Sequence, residues 1–183
     1  ISEKALRALE IKYQTIRQRA REGLLPFLIQ RGEEDPYLRL ENFSRLVSFV
    51  GLNETAQTMT GKAIYENGSA LSFAEEVVSY LSKEVMAYAQ KHGARCALAM
   101  TPEPNVARRL AELDIERYGL AEVHIQGGKE KPFYTNLTVT PYTVNLPQEE
   151  YLRIEERFHA LTPGSHLVKI SLSEPEDTEH LLS

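Results

Sequence analysis

Cys96, Ala97, Leu98, Ala99 and Met100 form an uncharged run of small and apolar residues with a helical pattern on either side. This arrangement limits the fold more than any other feature of the chain. On the amino side, Val77, Val78, Leu81, Val85 and Tyr88 recur at helical steps up to Gly93, a helix stop. Ser72 and Glu75 stand at capping-box spacing where that helix is expected to open. On the carboxyl side, Thr101 and Pro102 open a further helix, in which Val106, Leu110, Leu113 and Arg117 lead to Gly119. A strand with neither charge nor alternation needs cover on both faces, as in a parallel sheet between helices. The succession therefore predicts an α/β layer with parallel strands. Cys96 is expected to be inaccessible within it, a small buried hydrophobe rather than a nucleophile.

The rest of the chain repeats this alternation. Leu6, Leu9, Tyr13, Ile16 and Ala20 give residues 2–22 one apolar stripe that ends at Gly23. Residues 45–50 read as a buried strand turning at Gly51. Leu137 to Leu146, rich in threonine and valine but broken by Pro141, reads as an edge or bulged strand. Pro147 falls in the first turn of a helix whose buried face is Tyr151, Ile154, Phe158 and Leu161, with Glu149, Glu150, Glu155 and Glu156 on its solvated side. His166 to Leu172 then alternates as a strand. There is no internal repeat and no internal domain boundary.

Composition excludes several function classes. Of 183 residues, 42% are hydrophobic, enough for a core, and 21 basic against 26 acidic side chains give a net charge of −5 with no basic block. Nucleic acid is not an expected partner. No apolar run is long enough to cross a bilayer, and one cysteine cannot build a disulfide framework, so a cytoplasmic protein is expected. The chain opens at Ile1 inside a helical pattern, as a piece cut from a longer protein would.

The candidate site is the strand-to-helix junction Thr101, Pro102, Glu103, Pro104, Asn105 and Val106. A helix start offers unpaired N–H groups and the positive end of the dipole, which together hold phosphate. The two prolines remove donors, leaving the amides of Glu103, Asn105 and Val106, with Thr101 as cap. The Glu103 charge opposes an anion and Arg108 and Arg109 offset it. A helix that Thr101 merely caps, with nothing bound, needs the same residues, and both readings stand. His92, His124, His159, His166 and His180 show no metal-ligand spacing, so no metal site is expected.

Four segments, in order, resemble the second half of the barrel domain of anaerobic (class III) ribonucleoside-triphosphate reductases. They are Val50-Gly51-Leu52-Asn53-Glu54; Met100-Thr101-Pro102-Glu103-Pro104-Asn105 with Arg109, Leu110, Ala111 and Asp114; Phe133-Tyr134-Thr135-Asn136-Leu137-Thr138; and Phe158-His159-Ala160-Leu161-Thr162-Pro163-Gly164-Ser165-His166. Two departures stand out. Glu103, Pro104 and Asn105 replace the family's Ala-Glu-Ser/Thr, removing a hydroxyl near the phosphates, and Ser165 replaces a second turn glycine.

The resemblance implies that residues 1–183 are a fragment of one catalytic domain, a partial ten-stranded α/β barrel of the ribonucleotide reductase and glycyl-radical type. It places Thr101, Glu103, Asn105 and Val106 at the substrate phosphates and Tyr134, Thr135 and Asn136 at the barrel mouth. It implies a ribonucleoside triphosphate substrate, a homodimeric parent, and a glycyl radical made by an activating enzyme with S-adenosylmethionine and an iron-sulfur cluster. The thiyl cysteine, the radical glycine and a four-cysteine zinc site all fall outside this segment. No catalytic residue, cofactor or metal is expected within it, and an exposed half-barrel is expected to self-associate. Two other readings stay open: a different glycyl-radical enzyme of the same barrel type, and a non-catalytic relative that keeps the scaffold for binding or assembly.

Overall fold

The computed structural model describes residues 2–26, 39–66 and 68–170. The elements are α1 (Ser2–Arg21), a 3-10 turn (Leu40–Asn42), β1 (Arg45–Ser48), α2 (Leu52–Thr60), α3 (Gly68–His92), β2 (Cys96–Ala99), α4 (Pro104–Tyr118) and α5 (Gln148–His159). β1 and β2 pair in parallel, with Arg45 opposite Cys96 and Ser48 opposite Ala99, and α2 and α3 supply the crossover. The parallel α/β layer is therefore present, as a two-stranded sheet among the described residues.

α3 covers the sheet because its buried residues, Ala70, Ala74, Val78, Ser82 and Val85, fall on one helical face. The four apolar ones join Leu52, Ala56, Ile64, Leu98, Met100, Val139, Ile154 and Phe158 in one core to which α2, β2 and α5 all contribute. α1 rests on the same face more lightly. Leu6 alone of its stripe is buried, and the helix is tied to β1 by Arg45, which pairs with Glu10 at 2.9 Å and lies 4.1 Å from the Tyr13 ring centre.

Five local expectations are corrected. Ser72 is not a cap: α3 begins at Gly68, since packing of Ala70 and Ala74 carries the helix back past the capping-box spacing. Cys96 is half-buried rather than inaccessible, because burial deepens along β2 and is complete only from Leu98 to Met100. Thr101 does not cap α4; Glu103 holds the N-cap position, non-helical at φ −131° and ψ 62° and without a side-chain bond. A residue before proline is driven away from helical geometry, so Pro104 delays the helix to its own position. Leu137 to Leu146 forms no strand, and Leu137 itself takes φ 77°. Of the strand expected at His166 to Leu172, residues 166–170 form none and 171–172 lie outside the described residues.

The sheet edge beyond β2 is nonetheless occupied one residue earlier. Ser165 bridges Ala99 in parallel, Met100 N–H donates to Ser165 O at 2.8 Å, and Gly164 N–H donates to Leu98 O at 2.9 Å. Gly164 is required by this approach: a Cβ there would lie 2.8 Å from Leu98 O and 2.9 Å from Leu46 Cδ2. Gly164→Ala is expected to push the turn off β2 and destabilise the protein by about 1–3 kcal/mol. Urea unfolding would show it, and an unchanged midpoint would contradict the contact.

Candidate functional site

The end of β2 leads straight to the α4 corner. Thr101 N–H donates to Ser48 Oγ at 3.1 Å, tying the chain to the end of β1 just before the corner. Glu103, Pro104, Asn105 and Val106 are all exposed. Asn105 and Val106 lie in the first turn of α4, where a helix has no carbonyl one turn back to accept their amides. Arg108 follows on the same helix and pairs only loosely with Glu112, at 3.6 Å and largely in solvent.

The segment with Tyr134, Thr135 and Asn136 is brought to this corner by contacts on both sides. Tyr134 N–H donates to Ala107 O in α4 at 3.3 Å, and its hydroxyl donates to Asp114 at 2.7 Å. Its ring packs on Gly51, which at φ 78° heads α2 and whose N–H donates to Thr135 O at 2.7 Å. Thr135 is buried, and Asn136 Nδ2 donates to Tyr134 O at 3.3 Å. The result is a cleft of about 290 Å³ lined by Pro104, Asn105, Arg108, Lys131, Pro132, Phe133, Asn136 and Tyr142. Asn105 and Asn136, far apart in sequence, share it. Thr101, Glu103, Val106, Tyr134 and Thr135 do not line it.

Two cations, two amide side chains and a helix start give this cleft the chemistry of an anion site. A second cleft of about 370 Å³, between α2 and α4, is lined by Gly51, Met59, Leu110, Asp114, Tyr118 and Tyr134 among others and has no lysine or arginine. It is unsuited to phosphate. Among the described residues no group of three His, Cys, Asp or Glu side chains could hold a metal ion.

Sequence reasoning missed two buried carboxylates, Glu54 and Glu155. Glu54 accepts from Thr135 N–H at 3.1 Å, Thr135 Oγ1 at 2.6 Å and Gln126 Nε2 at 2.9 Å. Glu155, expected in solvent, is 1% exposed and accepts from Val139 N–H at 3.1 Å, Thr140 N–H at 2.8 Å and the His166 ring at 2.9 Å. Thr162 Oγ1 gives its hydrogen to Phe158 O and lies 3.3 Å from His166 Nδ1, so both ring nitrogens of His166 have a polar neighbour. The signal for Glu155 was present: it stands four residues after Tyr151 and three before Phe158, on the apolar face itself.

A parallel β-α-β layer with a cleft holding Arg108 and Lys131 beside the helix that follows a strand is an α/β architecture. The family model for anaerobic ribonucleoside-triphosphate reductase matches residues 1–183, and the chain belongs to that family. Among solved structures, an anaerobic ribonucleotide reductase superposes with a TM-score of 0.80 at 20% identity, over 98% of this chain and 27% of its own. The Thermotoga maritima anaerobic ribonucleotide reductase with glycerol in the active site gives 0.79 at 19%, over 99% and 28%. The same enzyme in complex with dATP and CTP gives 0.78 at 20%, over 96% and 28%. The chain thus shares their fold and spans little more than a quarter of their length. No curated protein matches the sequence.

Tyr134 carries a titration signature of this packing. Burial, then the hydrogen bond to Asp114, then the charges of Asp114 and Glu54 push its hydroxyl well above the usual tyrosine value. The folded form therefore holds the proton more tightly than the unfolded one. The stabilisation is whole below about pH 10 and is lost as pH rises toward the folded value. Tyr134→Phe is expected to cost about 1 kcal/mol at neutral pH and to flatten the alkaline decline, measured by denaturant unfolding between pH 8 and 11. Tyr65 and Tyr151, also raised chiefly by burial, leave a residual slope. An equally steep decline in the variant would contradict the assignment.

Proposed function

We propose that this chain is part of the catalytic barrel of an anaerobic ribonucleoside-triphosphate reductase and that its cleft receives the substrate phosphates. The observation that carries the reading is the meeting of Asn105 and Asn136 in one cleft with Arg108 and Lys131, beside the first turn of α4. The solved relatives include one with dATP in its specificity site and one in complex with dATP and CTP, which supports a nucleotide as the ligand. Within this reading the parallel strands are two of the ten in the barrel, and the exposed Leu46, Leu167, Val168 and Ile170 face the missing portion.

The radical chemistry belongs to the rest of the reductase. A four-cysteine zinc site does not fit a chain with one cysteine, and Cys96 opens β2 at the end away from the cleft. The glycyl radical, its activating enzyme with S-adenosylmethionine and an iron-sulfur cluster, and a second reductase subunit are partners of the parent. The isolated chain is expected to reduce no nucleotide when supplied with activating enzyme, S-adenosylmethionine and formate; turnover above background would overturn this.

Binding at the cleft is expected to be weak in the isolated chain, roughly millimolar or about 4 kcal/mol for a free nucleotide, since Glu103 stands at the corner and Pro104 removes a donor. In the full-length reductase, Arg108→Ala and Lys131→Ala are each expected to raise the substrate KM about tenfold, the worth of one hydrogen bond to a charged group. Steady-state kinetics would test this, and an unchanged KM in the double variant would refute the cleft. The departures at Pro104 and Asn105 favour a second reading, a non-catalytic relative that retains the scaffold. A glycyl-radical motif in the full-length protein would exclude it.

A further inference from the structure

The cleft's wall is formed by a segment without a strand ladder, so something other than a sheet must fix its path. Phe133 is paired with Gln126, each donating its N–H to the other's carbonyl, at 3.1 and 2.9 Å. Beyond Phe133 the anchor is Thr135, which is 4% exposed and gives both its N–H and its hydroxyl to the Glu54 carboxylate. Gln126 gives its side-chain N–H to the same carboxylate. One buried group, 3% exposed, therefore holds Thr135, next to Asn136, and Gln126, paired with Phe133, and Asn136 and Phe133 line the cleft. Glu54 does not itself line the cleft.

We propose, on the strength of the phosphate-cleft reading above, that Glu54 is its positioning residue. Acting through Thr135 and Gln126, it holds Asn136 and Phe133 against the first turn of α4. The side chain must be acceptor-only, because three strong donors converge on it, with Asn53 Nδ2 a distant fourth at 3.5 Å. A glutamine would turn an N–H toward one of those donors. Its length is set as well. Glu54 sits in the first turn of α2, whose head at Gly51 is bonded to the Thr135 carbonyl, so the carboxylate closes a ring onto the same residue from the side-chain direction.

The test uses the full-length reductase in its activated form. Glu54→Gln and Thr135→Val are expected to raise the KM for ribonucleoside triphosphate about tenfold with kcat per radical little changed, whereas Thr135→Ser, which keeps the hydroxyl, stays near the parent value. A group that only stabilises the fold would lower the active fraction and leave KM unchanged. That result, measured alongside the thermal midpoint, overturns the proposal. If Glu54→Gln does not fold, the Thr135→Val and Thr135→Ser pair decides, and equal KM values for the two would overturn it. Arg108→Ala and Lys131→Ala separate the two levels of argument. If they raise KM and the Glu54 and Thr135 variants do not, the positioning role alone fails; if neither cation matters, the cleft reading fails and the role of Glu54 falls with it.

Discussion

The structure depends on the Glu155 carboxylate, which does for the segment around Val139 and Thr140 what a neighbouring strand would otherwise do. Buried amides must find acceptors. Here both oxygens of one helix side chain supply them, and the same group takes the His166 ring. A buried carboxylate is costly alone and is tolerated where several donors meet it. The pairing links four parts of the chain. α5 carries Glu155, Glu155 holds both the Val139 segment and His166, and the turn before His166 sets Ser165 beside β2. From β2 the linkage continues to Thr101 and Ser48, at the corner where α4 is about to begin.

The site is placed by a similar arrangement on the other side. Ala107 and Ala111 give α4 a smooth buried face, and the Ala107 carbonyl receives the Tyr134 amide. Small side chains there let the 133–136 segment cross the helix closely enough for Asn136 to reach the cleft that Asn105 lines. Glu54 and Asp114, from α2 and α4, take the polar groups of Thr135 and Tyr134. A site on irregular backbone is thus held by rigid helices, which is how a loop acquires a fixed shape.

Family membership gives this arrangement its context without supplying its details. At 19–20% identity to the solved relatives, the likeness establishes the backbone fold. The exposed apolar side chains on α4, Val106, Leu110, Leu113 and Tyr118, are more than a solvated helix face needs.

The chain's own residues determined the features that depend on near neighbours: the periodicity of α1, α3 and α5, the presence of α4 though not its buried face, which is Ala107 and Ala111 rather than Val106, Leu110 and Leu113, the glycine stops at Gly93 and Gly119, the uncharged strand within Cys96 to Met100, and the parallel layer that these require. The four ordered motifs identified the family. What tertiary structure alone decided were the partners of groups whose neighbours are distant in sequence. Glu155 reads as solvated from its charge and is buried because Val139, Thr140 and His166 converge on it. Leu137 to Leu146 reads as a strand from its threonines and valines and is none: the Glu155 carboxylate rather than a strand meets the Val139 and Thr140 amides. Thr101 reads as a cap, and its amide is instead held by Ser48 while two prolines move the helix start. Local pattern specifies which backbone a residue prefers, but a buried polar group takes whichever partner the packed chain brings within hydrogen-bonding distance, and that is fixed only when the helices and the sheet have met.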